Sequence, residues 1–494
     1  MLGNMTPFSI CGNLYFVGTY EASSHMIDTG DGLILIDTGY AETADVIIES
    51  LEVLGYDVRD VKLVLISHGH GDHSDGTPRI VELSGAKVLM HEADVRYLKG
   101  FTPDGYLHDG DVVKLGNTEI LCLHTPGHTA GVLSFFFGVQ EDGQVYRAGM
   151  FGGAGVNQLK KAYLDRKVEG TCLPIGWRAD YFGSVERLRA ERVDVFIGNH
   201  CWNNKTREKY EQKLADPTKN PFINPKPWGV YLNTCEKALL RMISKESREF
   251  FVNYAHRGAS EYLPENTMAA FRAGIEMGAN GIETDVRLTS DGVAVLFHDS
   301  RLERMTGVQG SVEEMTYAEL SSLWVEKNGV KDKIPTLEEF LAEFSDRELT
   351  FAIELKGQGT EEAVAELLRK YDLRKKCFVT SFHLEYIEKF KRIAPEFRVG
   401  YLTGSVDDGL LKRLREIGAD ELCPRASEIT PERVEAWHRA GFNVRAWGVG
   451  TEEAMRKAYD SLANGMTVNF PDKLAAYIAE CRAAEEAAEA EKNK

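Results

Sequence analysis

Short apolar runs dominate the first half of the chain, whereas apolar and polar stretches alternate regularly in the second half. In the first half, the continuous runs at 33–36 and 61–66 are typical of strands that are buried on both faces. Four prolines between residues 216 and 228 predict irregular chain there, and the apolar spacing over 231–244 predicts a closing helix. We therefore predict a first domain at residues 1–248.

The second half repeats a strand followed by a helix. The predicted strands are 252–256, 281–286, 350–356, 377–382, 398–403, 421–424, 443–448 and 466–470. Helical patterns lie at 265–277, 360–371, 384–393, 431–440 and 471–490. Thr360, Thr430 and Thr451 stand at predicted helix starts, where a hydroxyl caps free N–H groups.

Eight strand–helix units predict a (β/α)8 barrel, which we assign to residues 249–482. Asp291-Gly292 separates two extended runs and predicts a hairpin after the second barrel strand. Residues 483–494 are rich in Ala and Glu and predict a polar helical tail. The fold class is thus a two-domain protein of mixed α/β and α+β type.

Composition narrows the range of partners. The 494 residues are 43% hydrophobic and 27% charged, the balance of a globular protein, and the net charge of −18 argues against nucleic acid as a main partner. No apolar run is long enough to cross a membrane, no leader is evident, and no basic amphipathic segment predicts a stable membrane anchor. Eight scattered cysteines favour reduced thiols and a cytoplasmic location, while oligomerisation stays open.

A cluster of metal-binding residue types follows the run at 61–66. His68, His70, Asp72 and His73 occur within six residues, too many polar groups for a core without shared partners. Imidazole and carboxylate are ligands of zinc and similar ions. Two further histidines stand on predicted turns, His128 in TPGHT and His200 in GNH.

The HxHxDH and TPGHT motifs resemble the metallo-β-lactamase superfamily over residues 5–245. The resemblance implies an αββα sandwich that hydrolyses its substrate with one or two Zn²⁺ ions, which lower the pKa of bound water. It implies two ligand sets and an orienting role for Asp37. The ligands would be His68, His70 and His128 for one ion, and Asp72, His73 and His200 for the other, with Asp72 also counted as catalytic.

One residue departs from this pattern. Met150 stands where many hydrolytic members carry an aspartate that bridges two metals, and a thioether cannot bridge hard ions. Occupancy of the second site therefore stays open, as does the alternative that this domain is a non-catalytic binding or oligomerisation module. Cys201 is expected to be a buried thiol. Four further histidines are expected to be structural: His25, His91, His108 and His124.

Charged residues gather at the ends of three predicted barrel strands. Glu283 and Asp285 are two residues apart in a predicted strand, so both carboxylates lie on one face of that strand. A cation between them would relieve the repulsion of the two negative charges. Chemistry in such barrels sits at the carboxyl ends of the strands. Together with His256-Arg257, His298 and the pair Glu354 and Lys356, this predicts a site for an anionic ester.

These stretches resemble the glycerophosphodiester phosphodiesterase family over residues 250–480: HRG at 256–258, PENT at 264–267, GIETDV at 281–286, LFHD at 296–299 and IPTLEE at 334–339. The resemblance implies cleavage of a small glycerophosphodiester to sn-glycerol 3-phosphate and an alcohol. It implies Mg²⁺ or Ca²⁺ bound by oxygen ligands, a histidine acid–base pair and two phosphate-binding cations. The metal ligands would be Glu283, Asp285 and Glu354. The acid–base pair would be His256 and His298, and the phosphate-binding cations would be Arg257 and Lys356.

Three features leave substrate detail open. Gly450 and Asn469 replace residues common in that family, and Trp447 is either an apolar wall of the pocket or barrel packing. Lysophospholipase D activity at a membrane surface is the alternative for the barrel.

Overall fold

The computed structural model describes residues 5–160, 167–168, 171–172 and 176–492. The chain divides into two compact units. The first contains the residues up to Lys160 together with Trp177–Arg241, and the second continues from Met242.

The first unit is a sandwich of two sheets. One sheet has the strand order β1-β2-β3-β4-β5-β6-β7 and the other β14-β11-β10-β9-β8. The strands are β1 (Phe8–Cys11), β2 (Leu14–Phe16), β3 (His25–Asp28), β4 (Leu33–Ile36), β5 (Val61–Leu65), β6 (Lys87–Met90), β7 (Gly105–Tyr106), β8 (Val112–Leu115), β9 (Thr118–His124), β10 (Leu133–Glu141), β11 (Gln144–Met150) and β14 (Val195–Phe196). A separate antiparallel pair, β12 (Lys167–Val168) and β13 (Thr171–Cys172), belongs to neither sheet and lies outside the residues of this unit.

Two apolar layers hold this sandwich together. Ile34 and Ile36 of β4 pack with Phe135 and Phe137 of β10 between the sheets, and the alternate β4 residues face the layer that contains α1 and α3. The helices are α1 (Ala44–Val53), α2 (Gly71–Ser74), α3 (Thr77–Ser84), α4 (Trp177–Arg189), α5 (Cys201–Asn204), α6 (Thr206–Ala215) and α7 (Lys226–Glu249). This is the predicted αββα sandwich.

Helix α7 begins earlier than expected. Irregular chain was predicted up to residue 228, but the helix starts at Lys226 and includes Pro227 in its first turn. Proline is tolerated there because the first N–H groups of a helix have no intrahelical acceptor. The prediction of irregular structure was therefore wrong for these last residues.

The second unit contains a closed parallel barrel. The order β15-β16-β20-β21-β22-β23-β24-β25 returns to β15. Its strands, with one antiparallel neighbour and one separate hairpin, are β15 (Val252–His256), β16 (Gly281–Leu288), β17 (Ala294–Leu296), β18 (Val325–Lys327), β19 (Val330–Asp332), β20 (Thr350–Leu355), β21 (Cys377–Ser381), β22 (Arg398–Thr403), β23 (Glu421–Pro424), β24 (Asn443–Val449) and β25 (Gly465–Val468).

Helices surround the barrel and complete its apolar core. They are α8 (Met268–Glu276), α9 (Glu303–Thr306), α10 (Tyr317–Leu320), α11 (Leu337–Phe344), α12 (Thr360–Lys370), α13 (Leu384–Ile393), α14 (Asp408–Ile417), α15 (Pro431–Arg439), α16 (Glu452–Asp460) and α17 (Pro471–Lys492). The eight-stranded barrel was correctly predicted. None of the helices in the described residues has the length and apolar character needed to cross a bilayer.

Two local predictions have different outcomes. The hairpin at Asp291-Gly292 is confirmed, because β16 and β17 pair antiparallel with Val286 opposite Leu296. Thr430 and Thr451 cap their helices, but Thr360 does not. Gly359 occupies that cap position with a φ of 79°, and Thr360 lies inside α12, where its hydroxyl donates to the carbonyl of Gly357 at 2.8 Å.

Candidate metal and phosphodiester sites

The HxHxDH segment runs from the end of β5 into the short helix α2. His68 and His73 are buried, and His70 and Asp72 are partly exposed. Gly69 is required for this path, because a Cβ there would lie 2.6 Å from the carbonyl oxygen of Asp94. The turn thereby brings four metal-binding side chains to one end of the sheet.

Ligand atoms of two residue sets converge here. Those of His68, His70 and His128 lie within 4.8 Å of one another, and so do those of His68, Asp72 and His73. Nδ1 of His70 is 3.0 Å from Nε2 of His128. Two ring nitrogens this close together are better explained by joint binding of one cation than by a direct contact between the two rings.

His200 completes the second predicted set. Oδ2 of Asp72 lies 3.2 Å from Nε2 of His73 and 3.7 Å from Nε2 of His200. The structure therefore brings all six residues of the two predicted sets together. Their roles as ligands stay predictions.

Hydrogen bonds fix the other side of these rings. Nδ1 of His73 lies 2.9 Å from Oδ2 of Asp37, and Nδ1 of His128 lies 2.6 Å from the carbonyl oxygen of Gly155. Nδ1 of His200 contacts the carbonyl oxygen of Glu21. Each bond leaves Nε2 for a ligand, an arrangement typical of metal-binding histidines. Nε2 of His73 is buried and makes no well-formed hydrogen bond, although Oδ2 of Asp72 lies 3.2 Å away, and an ion between these two atoms would fit this position.

The local electrostatics keep most of these rings neutral. Burial lowers the pKa of His68, His70 and His200, and lowers that of His128 to about 3. Neutral imidazole is the form that binds metal. His73 differs: burial opposes its charge, but the carboxylates of Asp37 and Asp72 raise its pKa to about 10.

Sequence reasoning missed Asp94, which joins the two histidine-bearing loops. This buried carboxylate accepts bonds from the N–H of Gly69 at 3.0 Å, the hydroxyl of Thr129 at 2.6 Å and the N–H of Gly131 at 2.8 Å. No local motif marks Asp94, since its partners are at least 25 residues away. It links the HxH turn to the TPGHT turn.

Among the described residues, neither Met150 nor Cys201 belongs to a group of converging ligand atoms. Both side chains are fully buried in the apolar layer between the sheets. Burial raises the pKa of the Cys201 thiol to about 11, so it is not a ready thiolate. The structure thus offers no thiolate or bridging carboxylate from these two positions.

Three carboxylates meet at the mouth of the barrel. Oxygens of Glu283, Asp285 and Glu354 lie within 4.8 Å of one another, and all three residues are buried. Burial, followed by repulsion from Asp285, raises the pKa of both Glu283 and Glu354. Oδ1 of Asp285 is buried and makes no hydrogen bond, although Nζ of Lys356 lies 3.5 Å away. A divalent cation fits this set, because it would offset the repulsion and satisfy that oxygen.

Two histidines flank these carboxylates. Nδ1 of His256 lies 2.6 Å from Oδ1 of Asn469, and Nδ1 of His298 lies 2.6 Å from Oδ1 of Asp299. Asn469 therefore orients His256 although it departs from the family pattern. Burial and the nearby Arg257 lower the pKa of His256 to about 4, and burial also lowers that of His298. In both rings Nδ1 is the hydrogen-bonded nitrogen, and Nε2 of His256 lies 3.8 Å from Oε2 of Glu283.

The two predicted phosphate-binding cations contact the carboxylates directly. Nζ of Lys356 lies 2.7 Å from Oε1 of Glu354 and 3.5 Å from Oδ1 of Asp285. Arg257 pairs with Asp285 at 3.1 Å and with Glu265 at 2.9 Å. Both cations are already held in place, which reduces the reorganisation needed when an anion binds.

An inner cavity of about 300 Å³ is lined by most of the histidines, carboxylates and cations described above. Trp447 and Phe382 form one wall, with ring centroids 4.9 Å apart and planes perpendicular. Trp447 thus lines the pocket, and its ring N–H donates to the carbonyl of Thr403 at 3.0 Å. The cavity also contains Arg445, a buried residue that sequence reasoning missed and whose Nε donates to Glu421 at 2.9 Å.

Comparisons with known proteins assign both halves of the chain. The profile of the glycerophosphoryl diester phosphodiesterase family matches residues 256–473, and that of the metallo-beta-lactamase superfamily matches residues 17–141. A glycerophosphodiester phosphodiesterase from Caldanaerobacter subterraneus is 33% identical over 234 residues, covering 44% of this chain and 94% of the relative. One from Bacillus altitudinis is 33% identical over 233 residues, covering 44% and 95%.

The native FEZ-1 metallo-beta-lactamase from Legionella gormanii is a solved structure similar to this chain. It is 31% identical, covers 50% of this chain and 98% of its own, and has a TM-score of 0.46.

Fold and site together define a phosphoric diester hydrolase built on a barrel and joined to a metal-dependent hydrolase domain. The chain belongs to the glycerophosphoryl diester phosphodiesterase family and carries a metallo-β-lactamase-like domain ahead of the barrel.

Proposed function

We propose that the barrel hydrolyses a glycerophosphodiester to sn-glycerol 3-phosphate and an alcohol, with His256 and His298 as the acid–base pair. The observation that carries this proposal is the convergence of Glu283, Asp285 and Glu354, of which Glu283 and Glu354 line the same cavity as both histidines. The relatives named glycerophosphodiester phosphodiesterase support the substrate class.

Each residue type has a defined task in this proposal. Glu283, Asp285 and Glu354 would hold Mg²⁺ or Ca²⁺, which supplies positive charge to the phosphate oxygens. Lys356 and Arg257 would neutralise the charge that develops on those oxygens during attack. The positions of these two cations beside the carboxylates support both tasks.

The two histidines would move the protons. One ring would take a proton at Nε2 from the water molecule whose oxygen attacks the phosphorus. The other would give a proton to the alcohol oxygen as its bond to phosphorus breaks. Asp299 would steady a protonated His298, as a carboxylate does for a catalytic imidazolium. Arg304 in turn holds Asp299 and Glu265, which ties the loop after β17 to the loop after β15.

The test is the His298→Ala variant of the full chain. We expect a loss of about 10²–10⁴-fold in kcat on glycerophosphocholine, because one proton-transfer group is removed. His108→Ala is the control, since it removes an exposed histidine of the first unit that lines neither cavity of the barrel. Near-normal turnover by His298→Ala, with an unchanged thermal melt, would remove this residue from the mechanism. Preferred cleavage of lysophosphatidylcholine would instead support the lysophospholipase D alternative.

For the first domain we propose a zinc-dependent hydrolase, with a substrate that the site does not name. His68, His70 and His128 would hold one zinc ion, and Asp72, His73 and His200 a second. The domain limits proposed are 1–248, 249–482 and a helical tail at 483–494. Zinc content combined with turnover of an ester and lactam panel tests this proposal. Bound zinc without any turnover would favour the binding-module alternative.

A further inference from the structure

A second, outer cavity adjoins the proposed phosphodiester site. It has a volume of about 530 Å³ and shares His298, Glu354, Lys356 and Phe382 with the inner cavity of about 300 Å³. The residues that belong to both cavities include the proposed acid–base histidine and a proposed phosphate-binding lysine. A diester whose phosphate lies at this shared wall would therefore extend one arm into each cavity.

We propose that the outer cavity binds the departing alcohol of the diester and selects an alcohol that carries a carboxylate. This inference rests on the proposed diesterase function and adds the leaving-group class. The glycerol arm would occupy the smaller inner cavity, which Trp447, Glu283 and Glu354 line. The larger outer cavity suits an alcohol of variable size.

The charges of the outer wall favour an anionic group. Its wall carries Arg287, Arg301 and the shared Lys356, although the chain as a whole has a net charge of −18. Two carboxylates also line the cavity. The oxygens of Asp299 are engaged by His298 and Arg304, and Oε1 of Glu354 lies 2.7 Å from Nζ of Lys356. Arginine is well suited to carboxylate recognition because its planar N–H groups match two oxygens.

Both arginines are held in position and retain donors. Arg287 donates through Nε to the carbonyl of His298 at 2.9 Å and through Nη1 to Glu313 at 2.6 Å. Arg301 uses Nε and Nη2 on Glu303. Within the described residues, Nη2 of Arg287 and Nη1 of Arg301 make no hydrogen bond, so each guanidinium keeps donors for a ligand.

A quaternary ammonium group fits this wall poorly. Recognition of such groups uses several aromatic faces around the cation. The outer cavity contains Phe382 and the imidazole of His383 among its lining residues, beside two arginines that would repel a cation. The wall therefore disfavours choline relative to an alcohol with a negative group.

Two substrates that differ by one carboxylate test the proposal. Glycerophosphoserine and glycerophosphoethanolamine share the ammonium group, so the ratio of their kcat/KM values isolates the carboxylate. We expect the full chain to favour glycerophosphoserine by about tenfold, the size of one charge-assisted hydrogen bond. A ratio near one, or a preference for ethanolamine or choline, would overturn the inference.

The Arg301→Gln variant locates the effect. We expect it to lower the serine-to-ethanolamine ratio several-fold and Arg301→Lys to restore part of it, because the positive charge returns. Arg413→Gln is the control, since Arg413 pairs with Glu388 on helices outside the barrel and should leave the ratio unchanged. An unaltered ratio in Arg301→Gln contradicts the assignment. Absence of turnover on every glycerophosphodiester would instead refute the diesterase function.

Discussion

Lys209 is a charged side chain in an apolar part of the first unit. It lies on α6, is 8% exposed, and its Nζ has no hydrogen-bond partner. The nearest compensation is the ring of Phe222, whose centroid is 5.3 Å from Nζ. Burial lowers the pKa of Lys209 from 10.5 to about 8.

This shift predicts that Lys209→Met stabilises the first unit at neutral pH. Because the folded-state pKa lies below the unfolded one, burial penalises the charged form, at most by about 3 kcal/mol. The penalty is fully present below pH 8 and fades as the pH rises from about 8 to 10.5. We expect the variant to gain about 1–3 kcal/mol in urea unfolding at pH 7.

The gain should shrink by pH 10, where the folded lysine is already neutral and the unfolded lysine, with a pKa of 10.5, begins to lose its proton. Lys213→Met is the matched control on the same helix, because Lys213 donates to the carbonyls of Ser9 and Ile10. Its replacement should destabilise the chain. An equal effect of the two substitutions would show that Lys209 has an unrecognised partner.

At the scale of elements, one carboxylate holds two loops together. Asp94 accepts three hydrogen bonds, from the loop that carries His68 and His70 and from the loop that carries His128. The separation of the two histidine-bearing loops is thereby set by a residue that belongs to neither predicted ligand set.

We predict that Asp94→Ala lowers both stability and zinc content. Three buried donors would lose their acceptor, at a cost of about 3–5 kcal/mol. Thermal melts and metal analysis of the purified variant measure the two effects. Asp45→Ala is the control, since Asp45 is exposed and pairs only loosely with Arg79 at 3.3 Å. Full zinc content in Asp94→Ala would mean that the loops are held by other contacts.

The limits of individual helices and strands show how far sequence patterns predict this fold. Strand 398–403 and helix 384–393 match their predicted limits, because buried strands and amphipathic helices impose clear local periods. The predicted start of α7 and the predicted cap of α12 were wrong, because a proline or a threonine near the start of a helix can occupy more than one position of its first turn.

The missed site residues share a different cause. The side chains of Asp94 and Arg445 act through partners at least 22 residues away, so no local pattern marks them. The histidine and carboxylate clusters were predictable because short motifs carry most of their members. Which ring nitrogen faces the site depends on acceptors such as Asn469 and Gly155, which only the tertiary structure brings close.

For the whole molecule, the two sites use different ligand atoms. The first unit offers imidazole nitrogens, which suit zinc, and the barrel offers carboxylate oxygens, which suit Mg²⁺ or Ca²⁺. Each set lies entirely within one compact unit. The two metal sites should therefore fill independently.

We predict that His70→Ala lowers zinc content without changing diester hydrolysis by the barrel. Metal analysis and turnover of glycerophosphocholine on the full chain provide the two readouts. His108→Ala is the control, because its side chain is 58% exposed and belongs to neither ligand set. A parallel fall in zinc and in diesterase activity would mean that the two units are coupled.

The alternation of side chains along β16 restricts which insertions this part of the chain can accept. Glu283 and Asp285 share one face because they are two residues apart, and β16 is fixed by pairing with β15, β17 and β20. Inserting a single amino acid before Glu283 would turn both carboxylates toward the helices. Length variation should therefore be tolerated at the Asp291-Gly292 turn, beyond the strand, and be selected against inside it.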